Sequence, residues 1–428
     1  MKKWHLKSQA LKKFYLRHPW VFSNDLNHSP KGLTPGAAVE LYNEKGDFLA
    51  KGYGHPNTLI CFRILSREEN EQLDASFFCS RFVRAFEKRK LAKIDQLSFR
   101  FIFAEADFLP GLIIDRYKLV GEKQVFVLQS STAGMELLLP VALEGLENFV
   151  KTQMNISWEQ TAIFFANDSK SRLIEGLQAE PKRVHKDIEN IDWNDVEIEV
   201  AAGNTELPSL KMNVDFLGGQ KTGFFLDQRS NIALVVSACY RLYSQGNKKR
   251  VRVLDLCCYN AQWSAQLANL FAKIEIEAEF TCVDASDKAL ALAKKNVQRH
   301  GVKDSNLFLK KLDVLKDLGE IADQSYDVVI CDPPAFIKKK QDIENGERAY
   351  VKLNRDAIKK TATGGFFMSC SCSGHLDDAK FRDVLIQATG KTGRPLEWLW
   401  RGTHSPDHPE LAEFPQGTYL KSWLGWMR

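Results

Sequence analysis

Apolar and polar positions change rhythm twice along this chain. Up to about residue 75, short apolar runs are cut by Gly and Pro: HPWVFSNDL, AAVELYNEKGDFLAKGYGHP and TLICFRILS. The alternation Val39-Glu40-Leu41-Tyr42, a turn at 44–47 and the return through Phe48-Leu49-Ala50 predict a hairpin within a small β module. Residues 76–94 carry apolar positions at helical spacing with basic residues between them, which predicts an amphipathic helix. From 98 to about 200, strand-like runs (SFRFIFAEA, LIIDRY, QVFVLQSS, TAIFFAND) surround one helix near 134–150, an α+β pattern. A polar, turn-rich stretch follows, and residues 211–228 read as a hairpin leading to a helix that starts near Asp227. Beyond 250 the order becomes strand, helix, strand, helix. VRVLDLCC, EFTCVDAS, LFLKKLDV, YDVVICDPP and GGFFMSCSCS are the strands, with helices at 261–272, 286–300, 347–362 and 376–390. That alternation predicts an α/β fold with a doubly wound, Rossmann-like parallel sheet, preceded by the β module and the α+β domain.

A chain of 428 residues implies two or three domains. The boundaries expected here are 1–78, 79–205 and 206–428. No apolar run approaches the roughly 18 residues a membrane span needs, and the basic start MKKWHLKSQALKKF lacks the apolar core of a signal peptide. Nine scattered cysteines without paired CxxC spacing argue against a disulfide framework or a structural zinc and for the cytoplasm, so no metal is expected. Net charge is only +5, yet the basic residues cluster. Residues 1–31 hold seven Lys and Arg, including Lys12, Lys13 and Arg17, against one acid. Arg81, Arg84 and Arg89 form a second cluster, and Lys338 and Lys339 belong to a third. Any one of these suits a solvated face; three together favour a polyanion such as RNA.

In a doubly wound sheet, ligands bind at the carboxyl ends of the strands. Those ends carry Asp255-Leu256-Cys257-Cys258-Tyr259-Asn260, Asp284-Ala285, Asp313-Val314, Asp332-Pro333-Pro334, and Ser371-Cys372-Ser373-Gly374. One acid at a strand tip is commonly a helix cap; four at successive tips are harder to explain that way. An ionised carboxylate at the second tip suits a pair of ribose hydroxyls, and one at the third suits an adenine amine. With no P-loop pattern in the chain, the cofactor expected is a nucleoside without phosphates, S-adenosylmethionine (AdoMet).

These tips, with HPWVFS at 18–23, LPGLIIDRY at 109–117, QKTGFFLDQR at 220–229, DPPAF at 332–336, SCSG at 371–374 and DHP…PQGTYLK at 407–421, span nearly the whole chain. The pattern resembles the RlmI-like family, class I AdoMet-dependent methyltransferases with a PUA domain that make 5-methylcytosine in large-subunit (23S) ribosomal RNA. The resemblance implies a PUA-like RNA-binding module at 1–78, an RNA-positioning domain at 79–205 and a methyltransferase domain at 206–428. It places Thr222, Phe225 and Arg229 near the cofactor, beside Asp255, Cys257, Tyr259, Asn260, Asp284, Ala285, Asp313, Val314 and Asp332. Ribosomal RNA is the implied partner, with no membrane role; a homodimer is left open. The chain departs from the family at the first-strand loop, where glycines near 261–262 are replaced by Asn260-Ala261-Gln262-Trp263. Glycine is the residue freest to take positive φ, so Gln262 is expected to crowd the cofactor or reshape the turn.

C5 of cytosine is a poor nucleophile until a thiolate adds to C6, so C5 methylation needs a cysteine at the site. Cys372 in the SCSG loop is the expected nucleophile, with Cys370, two residues earlier, as its rival. Cys331 reads as core packing. Asp332, stiffened by two prolines, is the acid–base candidate. Two alternatives stay open from sequence: methylation of another position such as a guanine amine, and an RNA-binding protein whose altered loop has lost the cofactor.

Overall fold

The computed structural model describes residues 1–428 apart from Asn247 and Asp317, and the chain divides into two compact units. The first comprises Met1–Val196, Asp215–Gly223 and Pro406–Gly417; the second comprises Glu197–Val214, Phe224–Ser405 and Thr418–Arg428.

The first unit opens with β1 (Lys2–His5), α1 (Leu11–Tyr15), β2 (Trp20–Phe22), β3 (Ala38–Tyr42), β4 (Phe48–Gly54) and β5 (Ile60–Ser66). The sheet order is β1-β3-β4-β5-β2, and the β3–β4 hairpin stands where the alternation placed it. Its core gathers Trp4, Leu6, Val39, Leu41, Cys61 and Phe62. Phe414, from the 406–417 segment, sets its ring edge-on against Trp20 at 4.6 Å.

Next come α2 (Ala75–Leu91), β6 (Phe99–Phe103), β7 (Leu112–Leu119), β8 (Lys123–Ser130), α3 (Ala133–Gln153), β9 (Thr161–Phe165) and β10 (Arg183–Lys186). Asp74 caps α2 by accepting the Phe77 N–H at 3.0 Å, satisfying one of the helix's orphan donors. The apolar stripe of α2 (Phe78, Phe82, Ala85) packs with Phe101, Phe126 and Phe149 into an aromatic core over the β6–β9 strands.

Arg89 continues that stripe one turn further, and it is wholly buried. Its guanidinium forks onto both oxygens of Asp107 at 2.8 Å and donates to the carbonyls of Arg100 (3.0 Å) and Asp407 (2.7 Å). The expected phosphate contact at Arg89 is therefore corrected. A guanidinium whose donors are spent inside the core cannot reach RNA. Its position at i+4 from Ala85 is the sequence signal for this.

The second unit begins with a pair, β11 (Val196–Val200) and β12 (Leu210–Val214), then α4 (Arg229–Tyr243). The hairpin expected within 211–228 is thus displaced: β12 pairs backward in the chain, and a single 3₁₀ turn at 226–228 leads into α4. The remaining elements are β13 (Arg250–Leu256), α5 (Gln262–Lys273), β14 (Glu277–Asp284), α6 (Asp287–Arg299), β15 (Leu307–Lys311), β16 (Tyr326–Cys331), α7 (Ile343–Lys360), β17 (Thr361–Ser371), α8 (Asp378–Gly390), β18 (Leu396–Gly402) and β19 (Lys421–Met427). They build a seven-stranded sheet, β15-β14-β13-β16-β17-β19-β18, whose first five strands are parallel. β19 runs antiparallel to both of its neighbours. Both faces are covered by core (Val251, Val253 and Ile330 on one, Leu254, Leu256 and Val329 on the other), which is why these strands read as continuous apolar runs.

Candidate active site

Hydrogen bonds join the β13 loop and the start of α5 to Asp284 and Asp332 at the ends of neighbouring strands, and that loop is the least ordinary part. Cys257, Tyr259 and Ala261 all adopt positive φ (61°, 49° and 56°) without being glycine. Each such residue costs on the order of 1–2 kcal/mol. The loop is held there from outside. Tyr259 N–H donates to Asp284 Oδ2 at 3.0 Å, Cys258 N–H to the Val283 carbonyl at 3.0 Å, and Asn296 Nδ2 to the Asn260 carbonyl at 2.9 Å. Ala261 thus performs the turn expected of glycine, with its Cβ packed into the core.

Four side chains follow from this loop. Asp255 is buried; its Oδ2 accepts from Ser264 Oγ at 2.7 Å, and its Oδ1 has no partner. Burial, assisted by the charges of Asp332 and Asp284, pushes its carboxyl up to about 7. The Asn260 side chain is wholly buried with neither amide atom paired, and Gln262 Oε1 is also buried without a partner. Trp263 turns its indole N–H onto Asp332 Oδ2 at 3.1 Å. Unpaired polar atoms inside a protein are costly, and three residues between the end of β13 and the start of α5 sharing the defect mark a place suited to a polar ligand.

Asp284, half-buried, also accepts the Ser286 N–H at 2.9 Å, with Ala285 exposed beside it. Asp313 is partly exposed and accepts the Leu315 N–H at 3.1 Å, while Val314 packs into the core. Phe225 sets its ring edge-on to Tyr259 at 5.3 Å, and Arg229 opens α4. Thr222 falls in the first unit instead, its hydroxyl engaged with Asp115 Oδ2 (2.5 Å) and the Tyr117 hydroxyl (2.9 Å).

Asp332 is held at the tip of β16 by Gln228, whose Nε2 lies 3.0 Å from both carboxylate oxygens. Gln228 is itself oriented: Asn231 Nδ2 donates to its Oε1 (2.7 Å), and Ser422 Oγ donates to Asn231 Oδ1 (2.7 Å). Sequence alone assigns no role to Gln228, Asn231 or Trp263, although Gln228 lies inside the QKTGFFLDQR motif. Beside Asp332, the Cys372 thiol lies 3.9 Å from the Pro333 carbonyl. Cys372 is half-buried, whereas Cys331 and Cys370 are wholly buried, and burial pushes both of those thiols far up.

Of the basic candidates, Lys12, Arg17, Arg84, Lys338 and Lys339 are exposed. Lys13 lies over the Phe22 ring at 3.7 Å, and Arg81 pairs with Glu71 at 3.3 Å.

Comparison with known proteins agrees with this arrangement. Residues 5–67 match a PUA-like domain family and residues 247–407 a methyltransferase domain family. The Ribosomal RNA large subunit methyltransferase I of Photobacterium profundum is 31% identical over 426 residues, covering 96% of each chain. The chain belongs to the ribosomal RNA large subunit methyltransferase I family. A second member of the family, from Klebsiella pneumoniae (strain 342), is 30% identical over 411 residues, covering 95% of this chain and 94% of its own. The fold as a whole resembles that of SMU.776, crystallised with SAH, at a TM-score of 0.75 and 19% identity over 99% of this chain and 100% of that one.

Proposed function

We propose that the chain uses AdoMet to make 5-methylcytosine in large-subunit ribosomal RNA in the cytoplasm, with Cys372 as nucleophile. The observation that carries this reading is the contrast among thiols at the strand tips. Cys372 is half-buried against the carbonyl of Pro333, next to Asp332, while Cys331 and Cys370 are sealed in the core and the other half-buried tip thiol, Cys257, is pushed far up by burial and the surrounding negative charges. A methyltransferase acting on an exocyclic amine has no use for such a thiol.

AdoMet, when bound, supplies an electrophilic methyl group. The residues suited to hold it are those with unmet or outward-facing polar atoms: Asn260 and Asp284, then Asp313, with Phe225, Tyr259, Cys257, Ala285, Val314 and Arg229 around them. Cys372, as thiolate, adds to C6 of the target cytosine and raises electron density at C5. Once C5 is methylated, its proton leaves to a base and the C6–S bond breaks, restoring the aromatic ring. Asp332 is held as a hydrogen-bond acceptor by Gln228 and Trp263, which suits it to the cytosine amine or to that proton transfer. Reaching a base edge this way requires single-stranded RNA or a flipped nucleotide. The PUA-like module, the α2–α3 domain and the exposed Lys12, Arg17, Arg84, Lys338 and Lys339 would bind phosphates and set register.

RNA carrying 5-fluorocytosine at the target tests the mechanism. Fluorine cannot leave as a proton does, so a covalent protein–RNA adduct should accumulate, require AdoMet, survive denaturing electrophoresis and disappear in Cys372→Ser but not in Cys331→Ser. Methylation that persists in Cys372→Ser would overturn the C5 reading in favour of amine methylation.

A further inference from the structure

Lys421 is the first residue of β19, and it pairs in register with Ser371, the last residue of β17 and the neighbour of Cys372. Its side chain is buried at 5% exposure and runs back to the same loop. Nζ donates to the Ser373 carbonyl at 2.6 Å and to the Tyr419 carbonyl at 2.7 Å. Cys372 is therefore bracketed: the residue before it is tied to the Lys421 backbone and the residue after it to the Lys421 ammonium.

A buried ammonium is costly, and burial draws this one down to about 8. The charges that oppose the loss are Cys372 first, then Asp378 and Asp377. On the other side of the thiol, Tyr350 donates to or accepts from Ser373 Oγ at 2.9 Å, and burial pushes its hydroxyl up to about 12, so it stays neutral. Cys370 likewise stays a neutral thiol. Asp332, the carboxylate nearby, disfavours a second negative charge. Lys421 is the cation set against it.

We propose that Lys421 is the positioning residue for Cys372, fixing the 371–373 loop and favouring the thiolate through its charge. This rests on Cys372 being the nucleophile. In the step itself the S–H bond breaks, the electron pair stays on sulfur, and the proton passes to water while the ammonium keeps its own.

The test uses the full chain without RNA or cofactor. Iodoacetamide labelling is followed residue by residue by mass spectrometry between pH 6 and 10 in the wild type, Lys421→Gln and Lys421→Arg. Lys421→Gln should slow Cys372 labelling at pH 7.5 by about tenfold, the factor one pKa unit represents, and move its midpoint to higher pH. Cys79, half-buried in the first unit, should label equally in all three. Lys421→Arg should recover most of the rate, which a loss of packing would not. An identical pH profile in Lys421→Gln overturns the proposal. If that variant unfolds, which labelling of Cys331 and Cys370 would reveal, the wild type decides alone: a Cys372 midpoint at or above the ordinary thiol value of about 8.5 overturns it. A low midpoint without a 5-fluorocytosine adduct would instead sink the C5 reading and leave the Lys421–Cys372 pair standing.

Discussion

Asp255 makes the site's stability depend on pH in the direction opposite to most carboxylates. Its folded value, about 7, lies above the ordinary 3.8, so between those pH values the folded protein holds a proton that the unfolded chain has lost. Stability from this group is complete below about pH 4 and falls as pH rises through 7. A rise of about three units at roughly 1.4 kcal/mol each gives a loss on the order of 4 kcal/mol between pH 4 and pH 8. Asp255→Asn keeps the shape and an acceptor for Ser264 and abolishes the titration. Urea unfolding followed by tryptophan fluorescence at pH 5, 6, 7 and 8 should show the variant overtaking the wild type, with the gap widening up to about pH 7 and levelling off above it. Parallel profiles for the two proteins would refute the burial argument. A gap that widens toward low pH would mean that Asp255 is held as a carboxylate by a partner.

Other outcomes follow from the same geometry. Arg89→Ala should cost about 3 kcal/mol by leaving the buried Asp107 with only Lys88 as counter-charge, and should leave the salt slope of RNA binding unchanged. Arg84→Ala, an exposed change, should instead flatten that slope by up to about 0.7–0.9 log units if its phosphate contact is lost; equal slopes would remove Arg84 from the RNA surface. Trp263→Phe deletes one donor to Asp332 and keeps an aromatic ring. Turnover should fall about tenfold or more, consistent with roughly 1.5–3 kcal/mol for a hydrogen bond to a charged group, while AdoMet affinity by calorimetry changes little. A fall in affinity alone would show that Trp263 serves the loop and not Asp332.

The parallel strands are legible in the sequence because burial on both faces leaves an apolar run that no polar residue interrupts, as in Val253-Leu254 and Val328-Val329-Ile330. The two C-terminal strands are not. β18 contains Glu397, Arg401 and exposed Trp400, and β19 carries Lys421 and Ser422, so neither shows the run that marks the others. Arg89 misleads for the converse reason: charge suggests solvent, and only its place on the α2 stripe shows that the guanidinium faces inward. The site's acids can be located from strand ends, but their states cannot. Asp255 and Asp332 both stand at strand tips, yet one is sealed with an unpaired oxygen and the other is gripped by two donors. Those partners come from the 3₁₀ turn before α4 and from α5, and Lys421 comes from β19, about 50 residues beyond the cysteine it brackets.

The substituted β13 loop shows how such long-range partners bear on function. Glycine would let this turn form from local freedom alone, whereas Tyr259 and Ala261 take left-handed φ only because Asp284, Val283 and Asn296 fix the surrounding backbone. One of those anchors, Asp284, is also the carboxylate best suited to a ribose. A ligand donating to Asp284 would therefore act on the same carboxylate that holds Tyr259 in place. A cofactor held by Asp284 would thus be coupled to loop conformation through one side chain, and the coupling would exist because Ala261 stands where glycine would have made it unnecessary.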